Sequence, residues 1–417
     1  MAGPKSRLSA IDPIADIWSS LIETLSYSIG DQQIFPGCQN VTIAALPTNP
    51  KKTDDRRCMI IALVIVAVLV LAFANGANDN FKGFATVWGS ATLSYRKALI
   101  IATIAAIAGS LLSVLLAHGL VKQFSGKGLV PDEIVALPVF ALAVGTGAAA
   151  AVLIATRVGL PISTTHALVG GLVGAGLAAG TGDVNFANLG AAFVVPLLAS
   201  PFVSAGIGYL LSRFLPKRDT AKDCICVVQG EMVSNGGTVA QRTSTPEVII
   251  DTNEVCAIHG TGAAHASISK AIDRAHIGSA ATICFARSVN DTPKLAGLMV
   301  VANGSNPTIS LIAIATAVAA GGLLLSRRVA ETMSQKITPL TPVQGLTANL
   351  TIAALVLAAS FKSLPVSTTH VSVGAITGVG ASARTLSIAT VRTILLSWVG
   401  TLPLAGVIAF IVMGYAT

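Results

Sequence analysis

Leu160-Pro-Ile-Ser-Thr-Thr-His166 is answered, 204 positions later, by Leu364-Pro-Val-Ser-Thr-Thr-His370. Upstream of each copy lies a second matched pair, Phe73-Ala-Asn-Gly-Ala-Asn-Asp79 and Phe285-Ala-Arg-Ser-Val-Asn-Asp291, at an offset of 212. Even the glycines that follow recur, with Gly170, Gly174 and Gly176 matching Gly374, Gly378 and Gly380. Two separate motifs in the same order in both halves indicate an internal duplication.

The surrounding composition identifies the medium. Of 417 residues, 53% are hydrophobic and only 11% charged, and mean hydropathy is +0.75. Soluble globular chains carry about 25% charged residues, so this composition excludes a soluble enzyme or nucleic-acid binder and reads as a polytopic membrane protein. Apolar segments fall at about 58–90, 98–121, 134–156, 161–181 and 186–215, then at about 277–303, 307–326, 343–361, 365–382 and 388–416. The chain divides into a polar extension (1–57), a first membrane repeat (58–215), a central insert (216–276) and a second membrane repeat (277–417).

Five segments per half, each crossing once, would turn the second copy upside down. The expected fold class is an all-α polytopic membrane protein of two inverted-topology repeats, with broken helices at the midplane. Outside the insert, the alternating loops on its side carry Arg96, Lys97, Arg157, Arg327, Arg328, Lys336, Arg384 and Arg392, against Lys122, Lys127 and Lys362 on the other. The positive-inside rule then places the insert in the cytoplasm and both termini outside. The cluster Lys51, Lys52, Arg56 and Arg57 opposes this placement, although Asp54 and Asp55 lie among it. The expected location is the cell (inner) membrane.

Charged side chains inside spans are costly and mark function by default. Asp79/Lys82 and Asp291/Lys294 share a three-residue spacing, which on a helix puts acid and base on one face. Each pair could simply neutralise itself in the bilayer. Its recurrence beside Asn78 and Asn290 in both repeats favours a site. In the second constellation proline ends one helix and opens the next, placing Ser163, Thr164 and Thr165, and Ser367, Thr368 and Thr369, at new helix N-termini. Free N–H groups, hydroxyls and the positive dipole end make such a start an anion site; helix capping alone is the plainer reading. His166, His370 and Arg287 are candidates for a proton or anion role, with packing the commoner duty of a histidine at that position.

The Gly-Ala-Asn-Asp motif, its second-half Asn-Asp copy and the duplicated Pro-x-Ser-Thr-Thr-His resemble the PiT family of inorganic phosphate transporters, over about 58–215 and 277–417. The resemblance implies secondary active transport of inorganic phosphate by alternating access, usually driven by sodium or protons, with a midplane site. Asn78, Asp79, Asn290 and Asp291 would then line the ion and substrate site, and the six Ser/Thr residues would hold phosphate oxygens. The sequence departs from the family pattern where a second Asn usually follows three residues after Asp: here stand Lys82 and Lys294. Arg287 occupies a position commonly held by His. The five intramembrane charges sum to +1, so the site carries its own cations, and sodium-independent or proton-coupled transport is expected. Lys82 and Lys294 would either neutralise the aspartates or touch phosphate directly.

Alternatives are a permease for sulfate or another tetrahedral oxyanion, and a phosphate sensor on the same fold. An enzyme is not expected, because a catalytic centre differentiates its two carboxylates whereas both halves here carry the same polar set. The expected partners are inorganic phosphate and the lipid bilayer, with a homodimer compatible and nucleic acid excluded. No cofactor or metal is expected; the coupling ion, proton or sodium, stays open.

The six cysteines are too few and scattered for a disulfide scaffold. Within the insert, Cys224, Cys226, Cys256 and His259 are spaced too loosely to indicate zinc. Cys224–Val228 and Glu247–Asp251 have the composition of a short β-hairpin. Residues 11–29 have the pattern of an amphipathic helix. No signal-peptide core is visible in 1–57, and Met59 is a candidate alternative start. Residues 1–57 and 213–276 are each formally neutral, so the net charge of +8 belongs to the membrane sectors.

Overall fold

The structure, a computed structural model, describes residues 53–116, 121, 124–180, 184–214, 223–228, 247–252, 254, 266–301, 307–362 and 364–416. The amphipathic pattern at 11–29 and the pair Cys256 and His259 lie outside the described residues. Ten long helices run through the described residues: α1 (Thr53–Asp79), α2 (Tyr95–Leu116), α3 (Pro138–Val158), α4 (Thr164–Ala178) and α5 (Val195–Phe214), then α6 (Ile268–Val301), α7 (Pro307–Leu325), α8 (Pro342–Phe361), α9 (Thr368–Ala383) and α10 (Ile388–Ala416). They correspond one for one to the ten apolar segments. Among the described residues, seven helical stretches are long and apolar enough to cross a membrane, and the protein is an integral membrane protein. Large apolar side chains such as Phe202, Phe214, Val399 and Val407 on α5 and α10 stay exposed, which lipid satisfies and water would not.

One expectation is refined and one is corrected. The helices that open on Ser-Thr-Thr, α4 and α9, have only 15 and 16 residues, about 22–24 Å at 1.5 Å per residue, short of a hydrocarbon core of about 30 Å. Neither helix reaches across by itself; each would span only together with the extended residues before it, 160–162 and 364–366, which add about 10 Å at about 3.3 Å per residue. The second Asn-Asp copy is also not a break. The first repeat's helix stops at Asp79, turns through the 3-10 segment Lys82–Phe84 and resumes at Ala85–Gly89. In the second repeat α6 runs unbroken through Asp291 and carries Pro293 inside it. Gly83, inside the 3-10 segment, sits against Ala280 O and Cys284 Sγ, where a side chain would collide.

Packing follows the duplication. Helix α1 lies against α3 and α7, and α6 lies correspondingly against α8 and α2; α4 is covered by α10, and α9 by α5. Small residues let these backbones touch. A Cβ on Gly321 would meet the Phe73 carbonyl and one on Gly109 the Phe285 carbonyl, at equivalent crossings. The repeated glycines Gly170 and Gly174 take the backbone of α10 at Leu402 and Gly406, while Gly374 and Gly378 take α5 at Pro201 and Ala205. The insert contributes the expected hairpin: β1 (Cys224–Val228) pairs antiparallel with β2 (Glu247–Asp251), Cys224 opposite Asp251. A two-residue strand, β3 (Ala266–Ser267), joins β1's other edge.

Candidate functional site

Four helix ends meet in the interior. Helix α3 ends at Gly159, whose φ of 82° is the left-handed conformation glycine permits. Leu160–Ile162 then run extended, and Ser163 caps α4, its Oγ accepting from His166 N at 3.1 Å. The second repeat repeats this, Ser367 Oγ accepting from His370 N at 3.2 Å. Ser163 and Ser367 therefore spend their hydroxyl oxygens on their own helices, while the threonines behind them turn to the lysines.

Lys82 and Lys294 occupy matching positions. Lys82 Nζ donates to Asp79 at the end of α1, to Asn78 Oδ1 at 3.0 Å, to the Ile162 carbonyl at 3.0 Å, and across the repeats to Thr369 Oγ1 at 2.5 Å. Lys294 Nζ donates to Asp291 Oδ1 at 2.9 Å, to the Val366 carbonyl at 3.2 Å, and across the repeats to Thr165 Oγ1 at 2.9 Å. Ile162 and Val366 are equivalent residues, each just before a Ser-Thr-Thr. Each ammonium thus joins its own aspartate, its own repeat's chain break and the other repeat's helix start. Both lysines and both aspartates are buried. Charges so placed persist only when paired and hydrogen-bonded.

The asparagines brace the breaks. Asn78 Nδ2 donates to Thr156 Oγ1 (2.9 Å) and the Leu160 carbonyl (3.0 Å), and its Oδ1 accepts from Ile162 N at 3.1 Å. Asn290 Nδ2 donates to Ser360 Oγ at 3.1 Å, Ser360 being the counterpart of Thr156. Thr164 Oγ1 accepts from Asn75 Nδ2 at 3.0 Å. Thr368 is buried beside these residues, and Thr369 Oγ1 donates to the Ile162 carbonyl at 2.7 Å.

His166 and His370 meet edge to face, ring centroids 4.6 Å apart. His370 stacks on Trp398 (3.8 Å), and its Nδ1 lies 2.9 Å from the Leu197 carbonyl, which makes that nitrogen the donor. Arg287 reaches Asn75 Oδ1 at 3.3 Å, Ser288 Oγ at 3.1 Å and Asp291 Oδ2 at 3.6 Å. Every candidate named from the sequence lies in this region. Asn75 and the two carbonyls escaped the sequence reading. Asn75 sits inside the quoted motif and is the counterpart of Arg287, which was its only signal; backbone oxygens carry none.

These features have relatives. A family profile described as "Phosphate transporter family" matches residues 75–409. A Pyrococcus furiosus protein named as a phosphate permease is 29% identical over 406 residues, covering 85% of this chain and 95% of that protein. A Bacillus subtilis protein named as a low-affinity inorganic phosphate transporter is 27% identical over 374 residues, covering 86% of this chain and 98% of the relative. A solved structure titled "The sodium-dependent phosphate transporter" shares the fold with a TM-score of 0.65 at 24% identity, covering 85% of this chain and 98% of that one. With the family profile running from Asn75 through the second Asn-Asp copy and both Pro-x-Ser-Thr-Thr-His motifs, the chain belongs to the phosphate transporter family.

Proposed function

We propose that this protein is a phosphate permease, a secondary transporter that exposes one interior anion site to each side of the membrane in turn, and that Lys82 and Lys294 stand in for coupling cations. Family membership and the relatives support phosphate. The observation that carries the cation reading is the pair of ammonium bridges. Each lysine places a fixed positive charge beside the Asp of one broken or bent helix and the Thr of the opposite Ser-Thr-Thr start. An aspartate already neutralised this way has no need of a bound metal cation, so transport on this reading is sodium-independent. The two repeats are inverted in the bilayer and rock about the site, and the insert faces the cytoplasm of the cell membrane.

Uptake of labelled phosphate by reconstituted protein, with and without a sodium gradient, tests this. Equal uptake supports the reading, and strict sodium dependence overturns it. Lys82→Asn with Lys294→Asn is expected to impair uptake or to make it sodium-dependent; an unchanged double variant would reduce the lysines to structural pairs. Saturable phosphate binding without flux would favour a sensor.

A further inference from the structure

Buried polar groups are nearly always hydrogen-bonded, so an exception calls for a partner that is absent. Among the described residues of the interior site's two Asn-Asp motifs, the unsatisfied atoms are Arg287 Nε, Asn290 Oδ1 and Asp291 Oδ2. All three residues are at most 5% exposed and lie on α6 at i, i+3 and i+4, one helix face. The Asp291 oxygen is 3.6 Å from Arg287 Nη1, an ion pair without a hydrogen bond. The amide assignment at Asn290 is fixed by its neighbour: Ser360 gives its own proton to the Val356 carbonyl (2.8 Å), so it must accept from Asn290 Nδ2, leaving Oδ1 free.

The first repeat's counterparts are saturated. Asn75 Nδ2 donates to Asp79 Oδ2 and Thr164, while Asn75 Oδ1 accepts from Arg287. Asn78 uses both ends of its amide, and Asp79 accepts from Lys82 and Asn75. The lysines are saturated as well: an ammonium has three protons, and Lys294 has three acceptors while Lys82 has four. Within the two Asn-Asp motifs, atoms without a partner thus occur only in the second copy: one guanidinium nitrogen and two acceptor oxygens, while Asn80 Oδ1, His166 Nδ1 and His370 Nε2 are unpaired outside those motifs. The duplication is broken at the position where Arg287 faces its own counterpart, Asn75.

We infer that substrate is held one-sidedly by α6: Arg287 is the cation that touches the oxyanion, and Asp291 with Asn290 accepts a proton from it, which selects protonated oxyanions over sulfate. The inference rests on the permease reading and deepens it. Phosphate and arsenate keep at least one O–H at neutral pH and can meet an acceptor; sulfate keeps none, and would press an oxygen lone pair against the Asp291 carboxylate. Leaving such a group unpaired is what makes polar sites discriminate strongly. The other charged groups around the site, Asp79, Lys82 and Lys294, are engaged with one another or with Asp291. The histidines of the facing helices, His166 and His370, pack against each other.

The test is competition and affinity in proteoliposomes holding the full chain. At one neutral pH, arsenate is expected to inhibit labelled phosphate uptake about as well as unlabelled phosphate does, and sulfate at least about tenfold less well. Sulfate inhibiting as strongly as arsenate would overturn the acceptor assignment. Arg287→Gln is expected to raise the phosphate KM about tenfold or more, as loss of a charged hydrogen bond does, and to abolish stabilisation of the purified protein by phosphate against heat. Arg287→Lys is expected to recover part of both. An Arg287→Gln protein with wild-type KM and wild-type phosphate stabilisation would overturn the contact, and one that merely failed to fold would leave the wild-type sulfate result deciding. No phosphate uptake by the wild type in any condition would overturn the permease reading itself.

Discussion

Replacing Lys82 by Met keeps a side chain of similar length and removes the charge. Asp79 would then be a buried carboxylate with one remaining donor, Asn75 at 3.2 Å. Breaking a buried pair by deleting one partner costs about 3–5 kcal/mol. At about 2 °C per kcal/mol for a chain of this size, the unfolding midpoint should fall by roughly 5–10 °C. Asp79→Asn leaves the opposite problem, an ammonium held only by Asn78, Ile162 and Thr369, and should cost a comparable amount. The double variant, Asp79→Asn with Lys82→Met, contains no stranded charge and should return to within about 1–2 kcal/mol of wild type, because a neutral replacement of a buried pair is often tolerated. The cycle should therefore show a coupling of about 4 kcal/mol or more. Thermal unfolding of purified protein can be followed by tryptophan emission, with Trp88 packed 5.6 Å from the Phe81 ring as a reporter beside Lys82. A double variant no more stable than the worse single one would refute the idea that Lys82 is there to neutralise Asp79.

Other outcomes follow from the packing. Gly321→Val would drive a side chain into the Phe73 carbonyl, so it should cost roughly 1–3 kcal/mol or more; Gly400→Val, where the space is open, should stay within about 0.5 kcal/mol, both read by thermal unfolding. Thr86 accepts from His276 Nε2 (2.9 Å) and donates to Asn349 Oδ1 (2.8 Å). Thr86→Val should therefore cost about 1–3 kcal/mol, visible as a lowered midpoint. Ser163→Ala and Ser367→Ala each remove a cap of about 0.5–2 kcal/mol, and hydrogen exchange should speed up in the first turns of α4 and α9.

Much of the site was legible because the duplication labels it. Asp79 with Lys82 and Asp291 with Lys294 meet through helical spacing, a local property, and the proline before each Ser-Thr-Thr announces a helix start. The breaks were less legible. Both Asn-Asp copies look alike, yet α1 stops at Asp79 whereas α6 continues past Pro293, so the shared motif by itself does not set whether the helix continues. The length of α4 and α9 was hidden too: hydropathy runs through the extended Leu160–Ile162 and 364–366 stretches as though they were helix.

By itself the sequence determined that this is a membrane protein built from two copies of one plan, with helices opening on paired hydroxyls and buried charges beside Asn-Asp. Those are consequences of composition, periodicity and neighbours within a turn. Tertiary structure decided which charge answers which group: Lys82 reaches Thr369, Lys294 reaches Thr165, and Arg287 faces Asn75. Such partners lie more than a hundred residues apart in sequence, on different elements, and only the packing of the two repeats against each other brings them within bonding distance. Packing also left unsatisfied atoms in only one of the two Asn-Asp motifs, the second, an asymmetry that two nearly identical motifs conceal.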